Sequence, residues 1–315
     1  MFHPTLSKRG RFFWTPVIKL CEWIGKTLPT AMVQMRYFAV YKRFANLRHP
    51  KDLNEKILYM KLYKDTSRWP DLVDKYKVRE YIKAKGQEDT LVDLYGAWYS
   101  AEEFRWDFDS LPSSFILKAN NGEGKGTNLV VKDKSAVSVD ELAATIKGWL
   151  ARKNIGALVA EPQYEAIKPC VIAEQLLPLD PGHHSLTDYK FWCFEGEPHF
   201  VWVCNDRNED GNSAHVMTYD LDWNAHPEYS IFTSDYLQGE PIPKPQNLER
   251  MLEVAAKLSD GFPELRVDLY NIDGKVYFGE LTFTSQGGIN SFYTQEFLNM
   301  AGAMFDVEKL PDKKK

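Results

Sequence analysis

From residue 71 onward, apolar and polar positions recur with periods that alternate between helix and strand. Runs with a period near 3.6, opened by Ser-x-x-Glu capping boxes or closed by glycine, predict helices. Short runs rich in β-branched and aromatic residues predict strands. The predicted helices are 71–85, a short one from 101, 139–152 and 247–259, and the predicted strands are 115–119, 171–175, 189–194, 199–203, 265–270 and 276–283. Helices and strands mixed in this way indicate an α+β or α/β fold.

A lysine near the end of one predicted strand is followed at once by a glycine-rich loop. Lys118 lies in strand 115–119, and Gly122, Gly124 and Gly126 come after it. Glycines let backbone N–H groups approach phosphate oxygens closely, and the lysine adds a positive charge. The spacing fits neither a Walker A loop nor a dinucleotide-binding fingerprint. The segment is therefore either a phosphate-binding element of another kind or a flexible polar hairpin.

The last two predicted strands form a hairpin whose register decides which side chains meet. A three-residue loop at 272–274 would place Arg266 opposite Glu280. Because side chains alternate along a strand, one face of the hairpin then gathers its polar residues, which are Arg266, Asp268, Glu280 and Thr282. A two-residue Asp-Gly turn would instead put Asp268 and Glu280 on opposite faces.

The carboxylates of this hairpin are the strongest chemical signal in the chain. Mg²⁺ commonly binds through one or two carboxylates together with substrate phosphates, and a nearby arginine suits a transferring phosphoryl group. The alternative is a solvated cross-strand ion pair between Arg266 and Glu280. Together with the lysine and the glycine-rich loop, the two carboxylates favour a nucleotide–magnesium site.

Composition and charge narrow the class of protein. With 315 residues, 44% of them hydrophobic and 26% charged, the chain is an ordinary globular protein. A net charge of −5 argues against a nucleic-acid partner. The four cysteines show no CxxC pair and no zinc-type spacing, which indicates free thiols in a reducing compartment. The sequence also has neither an apolar run long enough to span a membrane nor a recognisable signal peptide.

The first fifty residues differ in charge from the rest. They hold nine basic residues and one acidic one, Glu22, a charge of +8 in a chain whose total is −5. Aromatic residues are interleaved with these basic residues. A basic, aromatic-rich segment can lie on an anionic membrane surface, or it can be a helical extension packed on the body of the protein with its basic residues in water.

Six segments of the chain occur in an order shared with a known family. They are Leu53-Asn54-Glu55-Lys56, 74–81, 115–118, 172–174, 188–191, and Arg266–Asp268 paired with Glu280–Phe283. In these segments, which lie between about residues 53 and 302, the chain resembles the ATP-grasp enzymes and specifically their TupA-like branch, associated with teichuronopeptide biosynthesis. The resemblance implies an α+β ATP-grasp fold in which two lobes clasp ATP.

The resemblance also implies an organisation along the chain. A basic helical N-terminal extension would occupy residues 1–69, and the ATP-grasp body would occupy 70–305. Within the body, the first lobe with the glycine-rich loop would span 70–170 and the second lobe with the metal-binding hairpin would span 171–305. Residues 306–315 would form a C-terminal tail.

The resemblance assigns roles to individual residues. The implied contacts with ATP come from Lys75, Lys118, Gly122, Gly124, Gly126, and a hinge formed by Glu174, Gln175 and Leu176. The implied Mg²⁺ ligands are Asp268, Glu280 and Thr282, and the implied catalytic residues, which contact the transferred phosphoryl group or the substrate, are Arg266 and Lys190. The chain departs from the common Glu-x-Asn metal motif, because Thr282 stands in place of the asparagine.

The implied activity is that of a cytoplasmic ATP-dependent carboxylate–amine ligase that works through an acyl phosphate. Its partners would be a small amine or amino acid and the carboxylate of a sugar or polysaccharide, for example a uronic acid. Three other hypotheses remain open at this stage: an ATP-dependent sugar kinase on the same fold, a glycosyltransferase of a polysaccharide pathway, and a non-catalytic nucleotide-binding module. The N-terminus would allow peripheral contact with the inner face of the membrane.

Overall fold

Helices and strands alternate along the chain as an α+β sequence pattern predicts. The computed structural model describes residues 8–122, 126–179, 183–208 and 213–314, with side chains from residue 16 onward. The helices are α1 (Lys8–Thr27), α2 (Pro29–Tyr41), α3 (Leu53–Tyr63), α4 (Trp69–Val73), α5 (Val78–Ala84), α6 (Ala101–Asp107), α7 (Val139–Leu150), α8 (Pro162–Glu165), α9 (Leu248–Ser259) and α10 (Gln295–Gly302). The strands are β1 (Leu94–Trp98), β2 (Phe115–Ala119), β3 (Asn128–Val131), β4 (Val171–Glu174), β5 (Asp188–Phe194), β6 (Glu197–Asn205), β7 (Ala214–Tyr219), β8 (Tyr236–Gln238), β9 (Glu264–Ile272) and β10 (Lys275–Thr282).

A small antiparallel sheet forms the first half of the body. Its strands lie in the order β1-β4-β2-β3. One face is apolar, and Leu117 and Val171 pack there against Phe104 of α6 and Ile146 of α7. Because side chains alternate along each strand, the opposite face carries the polar residues of β2 and β4, which include Lys118.

A larger sheet forms the second half. Its strands lie in the order β10-β9-β5-β6-β7-β8, and they are antiparallel except for the parallel pair β7–β8. Helix α9 buries Met251, Val254 and Leu258 in the main core, beneath β5, β6 and β9. Its predicted start and end are confirmed to within one residue.

The helix predicted for 71–85 is interrupted in the structure. Helix α4 ends at Val73 and α5 begins at Val78. The cause is Asp74, whose side chain accepts hydrogen bonds from the backbone N–H groups of Tyr76 and Lys77 and from the side chain of Asn120. An aspartate that binds nearby backbone groups in this way competes with a continuous helix.

The β9–β10 hairpin differs from its predicted register by two residues, because Arg266 is predicted opposite Glu280 but lies opposite Thr282. The turn has two residues, Asp273 and Gly274, rather than three, so Ile272 pairs with Lys275. A β-bulge at Gly279 then shifts the register by one residue, and Asp268 lies opposite Glu280. A bulge adds one residue to one strand, and this is why both carboxylates still share a face.

The N-terminal helices pack on the body through one side. Met32, Val33 and Tyr37 of α2 form a buried cluster with Leu58 of α3 and Ile289. In the described residues, no helix is both long enough and apolar enough to cross a membrane.

Candidate functional site

A cavity of about 720 Å³ lies between the two sheets. Its walls include the apolar side chains of Val78, Ile116, Val130, Leu177 and Phe278. Ligand pockets typically have volumes of about 300–1,000 Å³ and combine apolar walls with a few polar groups. The polar or hinge residues that line it and were predicted from sequence are Lys75, Lys118, Glu174, Gln175 and Leu176.

The polar face of the small sheet supplies an ion-pair chain at the cavity wall. Lys118 Nζ donates to Glu174 Oε2 at 2.9 Å, and Arg79 Nη1 donates to Glu174 Oε1 at 3.1 Å. Arg79 also donates to the backbone carbonyl of Val92 at 2.8 Å. The strand register makes this possible, because Ile116 pairs with Glu174 and Lys118 follows two residues later on the same face.

Lys75 reaches the glycine-rich loop. The interruption between α4 and α5 lets the Lys75 backbone N–H donate to Asn120, while its Nζ donates to the carbonyl of Gly122 at 2.9 Å. A side chain at Gly122 would collide with Thr127, whose Oγ1 lies 2.3 Å from the position of a Cβ. Glycine is therefore required there for packing. Its own N–H donates to the carbonyl of Ala119.

The rest of the glycine-rich loop is described only in part. Gly126 is exposed and has a φ of +82°, a conformation that favours glycine. Gly124 lies outside the described residues. The phosphate contacts expected of these glycines stay predictions.

The polar face of the hairpin holds a buried cluster, Lys190–Asp268–Arg266. Asp268 accepts hydrogen bonds from Arg266 Nε at 2.7 Å, from Arg266 Nη2 at 2.8 Å and from Lys190 Nζ at 2.6 Å. All three side chains are at most 10% exposed. Burial alone would raise the pKa of Asp268, but the positive charges of Arg266 and Lys190 lower it overall.

Glu280 and Thr282 extend this cluster toward solvent. Arg266 Nη2 donates to Thr282 Oγ1 at 3.1 Å, and Thr282 Oγ1 donates to Glu280 Oε1 at 3.3 Å. Arg266 Nη2 and Glu280 Oε1 are 3.6 Å apart. The Glu280 side chain is 47% exposed, so it is the accessible carboxylate of the pair. Arg266 also donates to Ser285 Oγ at 2.7 Å, just beyond the end of β10.

Lys190 lies between two carboxylates. Its Nζ is 2.6 Å from Asp268 Oδ2 and 3.7 Å from Asp188 Oδ2. Burial would lower the pKa of Lys190, but the two carboxylates raise it overall. Asp188 in turn accepts a hydrogen bond from Arg207 Nη2 at 2.8 Å. Lys190 therefore keeps its positive charge at neutral pH.

The cavity and the hairpin cluster are adjacent. Gly279, which precedes Glu280, lines the cavity, and so does Tyr270, whose hydroxyl hydrogen-bonds Asp188. Burial lowers the pKa of Lys75, and the charge of Glu280 acts in the opposite direction. Lys75 and Glu280 are therefore in electrostatic range of each other, although they belong to different halves of the body.

Sequence reasoning missed Arg79, Asp188 and Arg207. Asp188 lies two residues before Lys190 on the same strand, so residue spacing could have pointed to it. Lys75, by contrast, lies in the break between α4 and α5, and its spacing to Arg79 gives no helical signal. Arg207 follows the end of β6, and its contact with Asp188 depends on the pairing of β5 with β6. No local signal in the sequence indicates that contact.

The chain matches the family model described as TupA-like ATPgrasp over residues 55–306. It therefore belongs to the TupA-like ATP-grasp family, and its fold is the α+β ATP-grasp fold, which binds ATP, preceded by N-terminal helices. A search of curated proteins finds no match.

Solved structures of several ligases and synthetases are similar to this chain. D-alanine–D-alanine ligase from Helicobacter pylori matches with a TM-score of 0.44 and 16% identity, over 84% of this chain and 68% of that one. D-cycloserine synthetase DcsG matches with a TM-score of 0.43 and 16% identity, over 77% and 71%. D-alanine–D-alanine ligase from Bacillus anthracis matches with a TM-score of 0.42 and 14% identity, over 70% of this chain. This chain spans 60% of the length of the Bacillus anthracis enzyme.

Proposed function

We propose that this protein is a cytoplasmic, Mg²⁺-dependent carboxylate–amine ligase that uses ATP to form an amide through an acyl phosphate. The observation that carries the proposal is the adjacency of two features. One is the 720 Å³ cavity with Lys75 and Lys118 in its wall, and the other is the Asp268–Glu280 face of the hairpin beside it. This arrangement suits a nucleotide whose base lies among apolar side chains and whose phosphates reach the carboxylates.

The nucleotide would bind with its base between the two sheets. Val78, Ile116 and Leu177 offer apolar surface to the base, and the hinge residues Gln175 and Leu176 offer backbone groups. Lys118 and Lys75 would contact the phosphates, since each is a flexible cation at the cavity wall. In the structure Lys118 is held by Glu174, and a phosphate would compete for it.

The residues of the hairpin fit a magnesium ion. In the described part of the chain, no cluster of three or more His, Cys, Asp or Glu side chains forms a self-sufficient metal site. Two carboxylates and a hydroxyl, completed by phosphate oxygens, are the ligand set that Mg²⁺ commonly accepts. Asp268 and Glu280 would hold the ion, with Thr282 as a further oxygen ligand. The ion would neutralise phosphate charge during transfer.

The remaining residues would position the reacting groups. In the proposed reaction a carboxylate oxygen of the acceptor takes the terminal phosphoryl group of ATP and ADP leaves. The amine nitrogen then attacks the acyl carbon, inorganic phosphate leaves, and the amine proton passes to solvent. Arg266 and Lys190, both buried cations, would stabilise negative charge on the transferred group. No protein nucleophile is needed, because positioning and charge neutralisation carry such a transfer.

We propose an amino acid or another small amine, and a sugar carboxylate such as a uronic acid of a surface polysaccharide, as the two substrates. The support for this choice is the TupA-like family resemblance. The buried, fixed cations Arg266 and Lys190 favour an anionic acceptor. No nucleic-acid substrate is proposed, because the chain is acidic.

Ligand-dependent melting tests the nucleotide assignment. ATP with Mg²⁺ at about 100 times its dissociation constant should add roughly 2.7 kcal/mol to the free energy of unfolding. UDP-sugars should have no effect. Stabilisation by UDP-sugars without stabilisation by ATP would replace the proposal with glycosyl transfer.

A product assay then separates the ATP-dependent activities. ADP release should require both a uronic acid and an amine, and the product should contain an amide bond. A phosphorylated sugar hydroxyl formed without any amine would identify a kinase instead. ATP binding with no turnover across acidic sugars and the twenty amino acids would favour a non-catalytic module.

A further inference from the structure

The first two helices, with the residues just after each of them, expose an unusual amount of apolar surface. In the part of the chain whose side chains are described, sixteen large hydrophobic residues are exposed, and half of them lie between positions 17 and 44. We call these eight residues the N-terminal apolar surface: Val17, Leu20, Trp23, Leu28, Met35, Phe38, Val40 and Phe44, with exposed fractions between 38% and 66%. Single exposed hydrophobic residues are normal, whereas a concentration of them marks an interaction site.

The exposure of these residues is fixed by packing on the opposite side of the helices. Gly25 of α1 fits so closely against the carbonyl of Ala157 that a Cβ there would lie 1.8 Å from the oxygen. On α2, Val33 and Tyr37 are fully buried. With those sides anchored, Val17, Leu20 and Trp23 follow one another at three-residue intervals and lie on the outward side of α1.

Basic residues accompany the apolar ones. Lys19, Lys42 and Arg48 are exposed in the same segment. The acidic residue Glu22 is half-buried and accepts a hydrogen bond from Asn154 at 2.8 Å. The first fifty residues carry +8, while the whole chain carries −5. In sequence, the start of α1 adds three more basic residues and three aromatic ones between positions 8 and 14.

We propose that the N-terminal apolar surface binds peripherally to an anionic lipid bilayer. A helical surface that joins aromatic and aliphatic side chains to lysine and arginine is the chemistry that inserts at the headgroup level of such a bilayer. Charge complementarity favours this occupant over a symmetric pairing of two N-terminal segments, because two positively charged segments would repel each other. The proposal does not depend on the proposed ligase activity.

The proposed docking surface is connected to the half of the molecule that holds the candidate site. The segment 157–161, against which α1 packs, includes the buried Glu161, whose carboxylate accepts a hydrogen bond from Thr284. Thr284 lies two residues after Thr282, and Thr282 is on the polar face of the hairpin. A bilayer bound at α1 and α2 would therefore lie on the side of the protein where that strand ends.

Vesicle sedimentation of the full chain tests the apolar half of the proposal. The protein should co-sediment with vesicles of phosphatidylcholine and phosphatidylglycerol, and much less with phosphatidylcholine alone. The double variant Leu20→Glu/Trp23→Glu should lower the bound fraction at least tenfold. The matched control is Trp106→Glu, since Trp106 on α6 is 78% exposed and lies outside the surface. An unchanged melting temperature with ATP would show that the double variant is folded.

Removal of single positive charges and measurement of the oligomeric state complete the test. Replacing Lys19 or Arg48 by glutamine should weaken binding about fivefold each, because each basic residue near an anionic surface contributes roughly that factor. Lys147→Gln on α7, also exposed, should have no effect. Equal binding by wild type and the Leu20→Glu/Trp23→Glu variant would overturn the proposal. The proposal would also be overturned if the protein formed a concentration-dependent dimer without vesicles and only the double variant abolished that dimer.

Discussion

Two clusters of buried charge flank the segment that follows the last strand, and each has two cations and one carboxylate. The first is the Lys190–Asp268–Arg266 cluster of the candidate site, on the polar face of the hairpin. We call the second the sealed cluster; it consists of Lys61 on α3, Arg36 on α2 and Glu161. Lys61 Nζ donates to the carbonyls of Val159 at 2.9 Å and Gly287 at 2.8 Å.

The two clusters differ in whether charge pairing or burial decides the direction in which the pKa of the carboxylate shifts. In the candidate site, the attraction of Arg266 and Lys190 outweighs burial and lowers the pKa of Asp268. In the sealed cluster, burial outweighs the attraction of Lys61 and raises the pKa of Glu161, while burial lowers the pKa of Lys61 to about 8. The reason is geometric, because Asp268 accepts three direct hydrogen bonds from its cations, whereas Lys61 donates to backbone carbonyls instead of to Glu161.

This difference, together with access to the cavity, gives a criterion for assigning a role to a buried charge cluster. The candidate site adjoins a cavity and has an exposed member, Glu280, so a ligand can reach it. The residues of the sealed cluster do not line that cavity, and Lys61 and Glu161 are buried. The hydrogen bonds of this cluster join Lys61 of α3 to Gly287 and Glu161 to Thr284, immediately after the hairpin. We infer that the first cluster acts on substrates and that the second holds the segment beside it.

The largest effect should come from removing a carboxylate of the candidate site. We expect Asp268→Asn and Glu280→Gln each to reduce ADP release by at least about a hundredfold, because each removes charge that holds Mg²⁺ and positions phosphate. The double variant should be little worse than either single one, since residues that act as a unit are not additive. Turnover with saturating Mg²⁺ is the measurement.

Glu161→Gln is the comparison from the sealed cluster. It also removes one buried carboxylate charge, but turnover per folded molecule should stay within about tenfold of wild type. Near-normal ADP release by Glu280→Gln would contradict the site assignment, because an exposed ion pair contributes only about 0–1 kcal/mol to stability and nothing to turnover.

More of the candidate site than of the sealed cluster could be predicted, because its key residues are close together in the sequence. Alternation along β9 and β10 is local, so the sequence predicts the face shared by Asp268 and Glu280. The bulge at Gly279 is not predictable, because it depends on a close approach to the carbonyl of Asp268, 2.9 Å from the position of a Cβ. The predicted register was wrong by two residues but the predicted face was right, because the shorter turn and the bulge each shift the pairing by one and side chains alternate with a period of two.

The sealed cluster gives no signal in the sequence. The sequence around Lys61 is typical of the surface of a short helix. Its burial depends on carbonyl partners that are 98 and 226 residues away along the chain, so no local pattern indicates it. Several strands, by contrast, follow from short alternating runs, and 115–119 is predicted without error, whereas β1, β3, β7 and β8 are not predicted. Local periodicity thus specifies elements, while burial of charge is specified by tertiary packing.

A second prediction concerns the stability that the sealed cluster provides. Lys61→Met should reduce the free energy of unfolding by about 3–5 kcal/mol, because it removes one partner from a buried set of charges. Lys64→Met, at the residue just after the same helix, is the control. Lys64 is equally buried, but its partners Glu308 and Asp312 are exposed, so its loss should cost about 1 kcal/mol or less. Equal costs in urea unfolding would show that the sealed cluster has no special structural role.

A third prediction separates nucleotide binding from the metal site. Lys118→Ala should raise the dissociation constant for ATP about tenfold to a hundredfold, as expected for the loss of a charge-assisted contact with phosphate. Glu174 would keep its hydrogen bond from Arg79, so the fold should be unaffected. Calorimetric titration with ATP measures the change, and Lys132→Ala, another lysine of the cavity wall, is the comparison. Equal effects from the two variants would remove the special role of Lys118.

The last prediction is a pH dependence that distinguishes Lys61 of α3 from Lys64, the residue just after that helix. In the unfolded chain Lys61 titrates near its ordinary pKa of 10.5, but in the folded chain its pKa is about 8. Between these values the unfolded state binds the proton and the folded state does not, so raising the pH favours folding. The stability advantage of wild type over Lys61→Met should therefore grow from pH 8 to 10.5, by at most about 1.4 kcal/mol per pH unit.

Lys64 should behave in the opposite way. Burial lowers its pKa, but hydrogen bonds from its ammonium group to Asp312 and Glu308 raise it overall to about 12. The folded state then retains the proton longer than the unfolded state, and the stability that Lys64 contributes is complete below pH 10.5 and lost as the pH rises toward 12. Because the titrations of all other groups are shared, urea unfolding of wild type, Lys61→Met and Lys64→Met between pH 8 and 10 isolates the two lysines: the difference for Lys61→Met should grow over this range, and the difference for Lys64→Met should stay constant. A flat difference for Lys61→Met over that range would mean that Lys61 stays charged, and pairing rather than burial would then govern the sealed cluster as it does the candidate site.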